Sequence, residues 1–251
     1  MDPTRSYLCG VEPIAEALHA GAEVRVLLVD RDDHDQAIAA LLALARARGV
    51  AIWLGSAGDL RRMGRGTGPE RALAMVGPRP DVELPELLAR PGAIWLLHRV
   101  SYPSNAGFAV RTAEVSGAQG VIIDAGFNHH ERERIAHVSM GADRLLPVLY
   151  QGTESTLEAA RTHGHRLIAI EDCGHTAPWD VDLTGSVVLV IGSEREGIGQ
   201  ALLAKCDAVV RIPMAGFVPS YNLQAAMSAV AAERLRQLAC AQPATPPAPA
   251  R

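Results

Sequence analysis

From residue 93 to residue 240 the chain alternates short aliphatic runs with runs of helical spacing, almost without interruption. AIWLLHRV, AQGVIID, RLLPVLY, HRLIAIED, SVVLVIG and DAVVRIPM read as strands. Between and after them NAGFAVRTAEVSG, RERIAHVSMG, TLEAARTHG, GQALLAKC and a closing stretch from Ser220 to about Leu238 carry helical periodicity. Strands that are Val, Ile and Leu nearly throughout have no polar face to give to water. The pattern therefore predicts an α/β fold in which a parallel sheet is covered on both faces. In such sheets ligands sit beyond the carboxyl ends of the strands, so the search for chemistry narrows to the loops that lead into helices.

The residues before this region describe a smaller α/β unit, placed at 1–77. VEPIAEALHA is a helix, EVRVLLVD a buried strand, and DHDQAIAALLALARARG a helix with an Asp entry and a Gly exit. VAIWLG returns as a strand, and DLRRMGRGTGPERALAMVGP reads as an arginine-rich, glycine-broken loop followed by a short strand. Residues 78–92, PRPDVELPELLARPG, hold four prolines. Each withdraws a backbone donor and restricts the residue before it, which marks a linker. The larger domain then spans 93–240. The last segment, AQPATPPAPAR at 241–251, has too little apolar surface to order itself and is expected to be disordered.

The charge balance bounds the function. A formal net charge of −4 argues against a protein that coats nucleic acid through bulk charge, so any RNA contact must come from local patches. The most concentrated patch is Arg61, Arg62, Arg65 and Arg71, which could grip phosphates. A second, His129, His130, Arg132, Arg134 and Arg144, is diluted by Glu131 and Glu133. No metal site is expected: the two adjacent histidines lack further ligands at a useful spacing, and Cys9, Cys173, Cys206 and Cys240 lie too far apart for a zinc or disulfide pattern. The start of the chain is unlike a leader peptide and no apolar run is long enough to span a bilayer, so a cytoplasmic protein is expected.

Three loops carry the chemical signal. In SYPSNAGFAVRTAEVSGA, residues 101–118, Ser104 or Asn105 can cap the helix, Gly107 lets another backbone come close, and Arg111 lies one turn further on. VLVIGSEREGIGQAL, residues 188–202, runs from strand through a glycine-rich turn into a helix. It lacks the Lys-Ser/Thr of a phosphate-binding P-loop and the spacing of a dinucleotide fingerprint. Its Glu194 and Glu196 would repel a phosphate but could accept hydrogen bonds from a cationic or hydroxylated ligand. In FVPSYNLQAAMSAV, residues 217–230, Ser220 and Asn222 can both cap the helix and the phenol of Tyr221 stands between them. One cap suffices, and the surplus asks for a ligand.

Taken in order and at these distances, NAGFAVRTAE, IGSEREGIG and RIPMAGFVPSYNLQAA resemble the three motifs of the SpoU/TrmH branch of the SPOUT methyltransferases. The resemblance covers nearly all of the chain, because residues 6–77 are similar to the small substrate-binding domain that precedes the catalytic domain in many members. It implies a SPOUT-type parallel sheet with a C-terminal trefoil knot, a homodimer, S-adenosylmethionine as cofactor, and an RNA ribose 2′-hydroxyl as methyl acceptor. Ribosomal RNA stands ahead of transfer RNA, because the small domain resembles that of ribosomal-RNA-modifying members; antibiotic-resistance methylases fall within the same group. Matched by position, Gly192, Ile212, Met214 and Tyr221 fall where members hold the cofactor, largely through backbone groups. Asn105, Arg111, Glu194, Ser220 and Asn222 fall on the catalytic positions. A guanidinium stays protonated at neutral pH, so Arg111 suits an electrostatic clamp on the emerging alkoxide better than a general base. Ser220 and Asn222 would orient the hydroxyl, and Glu194 would hold Asn222 or Arg111.

Two departures from the family pattern stand out. Members commonly read Ser-Leu-Asn-Val-Ser where this chain has SYNLQ, and a His-Gln-Gly where it has Pro69, Glu70 and Arg71. These departures and the acidic balance keep two rivals open: a small-molecule acceptor with the same cofactor, and a binding module without catalysis.

Overall fold

The computed structural model describes residues 6–64, 70–77, 80–218 and 220–241. Arg65, Pro69 and the tail from residue 242 onward lie outside the described residues. The chain divides into two compact units, Met1–Arg79 and Pro80–Arg251.

The first unit runs β1 (Ser6–Cys9), α1 (Val11–His19), β2 (Val24–Asp30), α2 (Gln36–Ala47), β3 (Ala51–Gly55), α3 (Ala57–Met63) and β4 (Ala72–Val76). Its sheet has the order β1-β4-β2-β3, with β2 and β3 parallel and the other neighbours antiparallel. Ile14 and Leu18 of α1 and Ile38 and Leu41 of α2 close over Leu27 and Val29. Full burial of each such side chain contributes about 1.5–3 kcal/mol. Asp35 caps α2 as expected, its carboxylate accepting from the Ala37 amide at 2.8 Å. Two elements differ from expectation. β1 is an additional edge strand. The arginine-rich stretch is in part helix: Ser56 and Asp59 form a capping box, and the resulting α3 carries Arg61 and Arg62.

The second unit contains α4 (Leu84–Leu88), β5 (Ala93–His98), α5 (Pro103–Val115), β6 (Gly120–Asp124), α6 (His129–Val138), β7 (Val148–Tyr150), α7 (Thr153–Thr162), β8 (Arg166–Ile170), β9 (Val187–Ile191), α8 (Gln200–Leu203), β10 (Ala208–Val210) and α9 (Leu223–Ala241). The sheet order is β10-β8-β9-β5-β6-β7, and every neighbouring pair is parallel. Alternate residues explain why the strands lack a polar face. Trp95, Leu97, Leu189 and Ile191 pack with Val110 of α5 and Met227 of α9, whereas Leu96, Val188 and Val190 pack on the other side with Leu87 and Leu157.

Residues 84–88, within the segment expected to be a linker, form α4, and Leu87 and Leu88 are buried. Pro85 is tolerated there because it occupies the first turn, where its missing N–H has no helical partner to lose. β10 and α8 are shorter than their sequence patterns suggest, and α9 starts at Leu223 rather than Ser220. Gly107 does bring two helices together: a Cβ there would stand 2.7 Å from the Val138 Cβ and 2.8 Å from the Ile135 carbonyl oxygen.

Candidate active site

The carboxyl ends of β8 and β9, the segment after β10, and the starts of α5 and α9 surround a cavity of about 370 Å³, within the range of small-molecule sites. Ile191, Ile212, Met214 and Leu223 supply apolar wall, while Glu171, Asp172 and Glu194 supply acid. No lysine or arginine lines the cavity among the described residues. Such a lining rejects phosphate and suits a ligand with an apolar ring and a positive charge.

The glycine-rich turn is folded tightly on itself. The Gly197 amide donates to the Ser193 carbonyl at 3.1 Å, and the Glu196 amide donates to the Ser193 hydroxyl at 3.0 Å. A Cβ at Gly192 would fall 2.4 Å from the Gly197 carbonyl carbon, so only glycine permits this crossing. Glu171 pins the turn from the end of β8, accepting from the Ile198 amide at 2.7 Å.

Glu194 makes a contact that differs from the expected one. One carboxylate oxygen accepts from Asn105 Nδ2 at 2.7 Å, and the other accepts from the Ser101 amide at 3.0 Å. It therefore holds Asn105, not Asn222 or Arg111. Ser104 and Asn105 do not cap α5, which begins at Pro103 after Tyr102. The Ser104 hydroxyl instead accepts from Arg134 Nε at 3.1 Å. At α9 Asn222 is the cap, its side-chain oxygen accepting from the Gln224 amide at 3.0 Å. That leaves Ser220 and Tyr221 on the cavity wall without a capping duty. The Tyr221 phenol donates to the Pro213 carbonyl at 3.4 Å.

Eight of the nine residues expected to hold the cofactor or act in catalysis thus line one cavity: Asn105, Gly192, Glu194, Ile212, Met214, Ser220, Tyr221 and Asn222. The ninth, Arg111, does not. It is exposed on α5, with Nη1 2.9 Å from the Met140 sulfur. Phe108 and Val115, 44% and 74% exposed, flank it at helical spacing on the same face. Two of the arginines expected to contact phosphate are paired with acids of their own unit. Arg71 pairs with Asp33 at 2.7 Å and Asp35 at 3.4 Å, holding the Asp33 carboxyl at about 2, and Arg62 pairs with Asp59 on its own helix.

At the carboxyl ends of β5 and β6, outside the cavity lining, His98 Nδ1 lies 2.8 Å from the Thr153 hydroxyl, which donates to Asp124 at 2.6 Å. The hydroxyl has one proton and gives it to the carboxylate, so a neutral His98 carries its own proton on Nδ1. Burial holds the imidazole pKa below its usual value, against the opposing pull of Asp124.

The SpoU rRNA Methylase family profile matches residues 93–232, and a profile for RNA 2′-O ribose methyltransferase substrate binding matches residues 7–79. The chain belongs to the SpoU rRNA methylase family. An uncharacterized tRNA/rRNA methyltransferase of Mycobacterium tuberculosis strain H37Ra is 33% identical over 243 residues, covering 94% of this chain and 75% of the relative. Among solved structures, the SpoU methyltransferase AviRb from Streptomyces viridochromogenes, in complex with AdoMet, is 26% identical with a TM-score of 0.56, covering 95% of this chain and 92% of that one. An AdoMet-bound rRNA methyltransferase from Sinorhizobium meliloti shares the fold at TM-score 0.60 and 24% identity, over 94% and 88% of the two chains.

In this SpoU methylase, sequence reasoning missed Glu171, Asp172 and Tyr102, all on the cavity wall. The signal for the two acids was their place: they directly follow Ile170, at the carboxyl end of a strand. No helix among the described residues is long and apolar enough to cross a membrane.

Proposed function

We propose that this SpoU methylase transfers a methyl group from S-adenosylmethionine to a ribose 2′-hydroxyl of RNA, ribosomal RNA ahead of transfer RNA, as a cytoplasmic homodimer. The observation that carries the reading is the Glu194–Asn105 pair at the edge of an acid-lined cavity. The lining fits the cofactor: Glu171, Asp172 and Glu194 complement its positive charges, and Ile212, Met214 and Leu223 offer surface for its base. When bound, the cofactor supplies an electrophilic methyl on sulfur.

The protein's own residues then have to present a hydroxyl in line at roughly 3–3.5 Å and stabilise its developing charge. Because Asn105 gives an amide proton to Glu194, its Oδ1 is left to accept from the incoming hydroxyl. Ser220 and Asn222 border the same space from the α9 side. Arg111 is the electrostatic clamp, delivered to the cavity of a second copy. Its place on an exposed face between Phe108 and Val115 supports this, since a face with two exposed apolar residues suits burial against a partner. The substrate-binding match over residues 7–79 supports RNA as the acceptor, with Arg61, Arg62, Arg65 and Arg71 as candidate phosphate contacts.

A trefoil knot is part of the reading. It follows from the family resemblance, and the segments it would bring together lie in contact: the Glu171 amide donates to the Val210 carbonyl at 3.0 Å, the Arg211 amide to the Thr176 carbonyl at 2.9 Å, and the Ile198 amide to the Glu171 carboxylate at 2.7 Å. The test is transfer of labelled methyl from S-adenosylmethionine into total RNA against a metabolite extract. Label in RNA is expected. Label confined to metabolites would favour a small-molecule acceptor, and cofactor binding without transfer to either would favour a binding module.

A further inference from the structure

Tyr102 occupies the edge of the cavity next to Asn105 and Glu194, with 45% of its surface exposed. An exposed tyrosine is ordinarily free to change rotamer, but here the backbone is confined and the phenol is tethered. Pro103 follows it and confines its backbone to the extended region, where it lies at φ −111° and ψ 117°. Arg195 Nη2 donates to its phenol oxygen at 3.1 Å, and the guanidinium carbon lies 5.8 Å from the ring centroid. Arg195 directly follows Glu194, which holds Asn105. The orientation of the ring and that of the amide are therefore set by adjacent residues of one turn.

A tethered aromatic face beside an acid-lined opening does not suit a phosphate, which Glu194 would repel. It suits a planar, uncharged group held by stacking. Within the proposed reaction, on which this inference rests, the group next to the methylated ribose is its own nucleobase. We propose that Tyr102, tethered by Arg195, is the platform on which the nucleobase of the target nucleotide stacks, and thus determines which acceptors are accepted. Two consequences follow from the chemistry. Stacking on a phenol is tolerant of base identity, so Tyr102 selects for an available base and not for a particular one. A base inside a duplex already stacks on its neighbours, so the acceptor is a nucleotide in a single-stranded loop, bulge or end.

The test uses the full chain and a short single-stranded oligoribonucleotide carrying 2-aminopurine, whose fluorescence falls on stacking. The wild-type protein is expected to quench the probe. Tyr102→Ala should lose the quench and bind the oligonucleotide about 5- to 160-fold more weakly, the range for one base–aromatic stack. Tyr102→Phe keeps the ring and should keep the quench, while Arg195→Ala frees the ring and should give an intermediate loss. Calorimetric affinity for S-adenosylmethionine should stay at the wild-type value in all three. Quenching and binding by Tyr102→Ala equal to wild type would overturn the platform, as would no quench by the wild type, or loss of cofactor affinity in Tyr102→Ala. Quenching without methyl transfer to any RNA would leave the platform standing and overturn the reaction proposed above.

Discussion

The Glu194 carboxylate accepts from the Asn105 side-chain amide at 2.7 Å, tying together two residues 89 positions apart in the chain. With its other oxygen on the Ser101 amide, the carboxylate fixes both the start of α5 and the direction in which Asn105 presents its free oxygen. Glu194→Ala should lower kcat for methyl transfer by about 10- to 100-fold, as expected for loss of a hydrogen bond to a charged group. Steady-state kinetics measure this, and an unchanged kcat would remove Asn105 from the reacting geometry.

Gly192 allows the turn after β9 to cross itself. A methyl group there overlaps the Gly197 backbone, and backbone cannot move aside as a flexible side chain can. Gly192→Ala should cost about 1–3 kcal/mol of stability and abolish cofactor binding. Thermal melting and calorimetry of the variant check both.

Arg111 is exposed and does not line the cavity that contains the other expected catalytic residues. If it serves a second copy, Arg111→Ala and Asn105→Ala should each be inactive, yet a mixture refolded together should recover about a quarter of wild-type turnover through random pairing into symmetric dimers. No recovery on mixing would place Arg111 at its own subunit's cavity, and an active Arg111→Ala would place it outside catalysis.

His98 gives a pH dependence of stability. Its folded pKa is depressed below the usual 6.5 by burial, so the folded state favours the neutral ring and the unfolded chain takes up the proton first. The stabilisation is present above pH 6.5 and is lost as pH falls below it. The melting temperature should drop between pH 7.5 and 5.5, and His98→Gln should drop less over the same range.

The strands of the larger unit were legible because a fully covered parallel sheet needs aliphatic residues at both parities, as in VVLVI of β9. β1 was not, since a four-residue, half-exposed edge strand shows too little periodicity. α4 was masked by its prolines, and α3 by arginines and a glycine that suggest a loop until the Ser56–Asp59 capping box is seen. At the site, the surplus of polar groups before α9 pointed to a ligand, and the described geometry explains the surplus: Asn222 alone caps, leaving Ser220 and Tyr221 to the cavity. The partner of Glu194 was hidden for a different reason. A contact between residues 89 positions apart depends on how β5 and β9 lie side by side, which local spacing does not encode.

The most direct test of the central claim uses the chemistry of RNA itself. Alkali cleaves RNA through attack by a free 2′-hydroxyl, so a methyl group on that oxygen protects one linkage. RNA labelled by this protein from methyl-labelled S-adenosylmethionine should, after alkaline hydrolysis, release its label in a resistant dinucleotide. Label recovered in mononucleotides would place the methyl on a base and contradict the account.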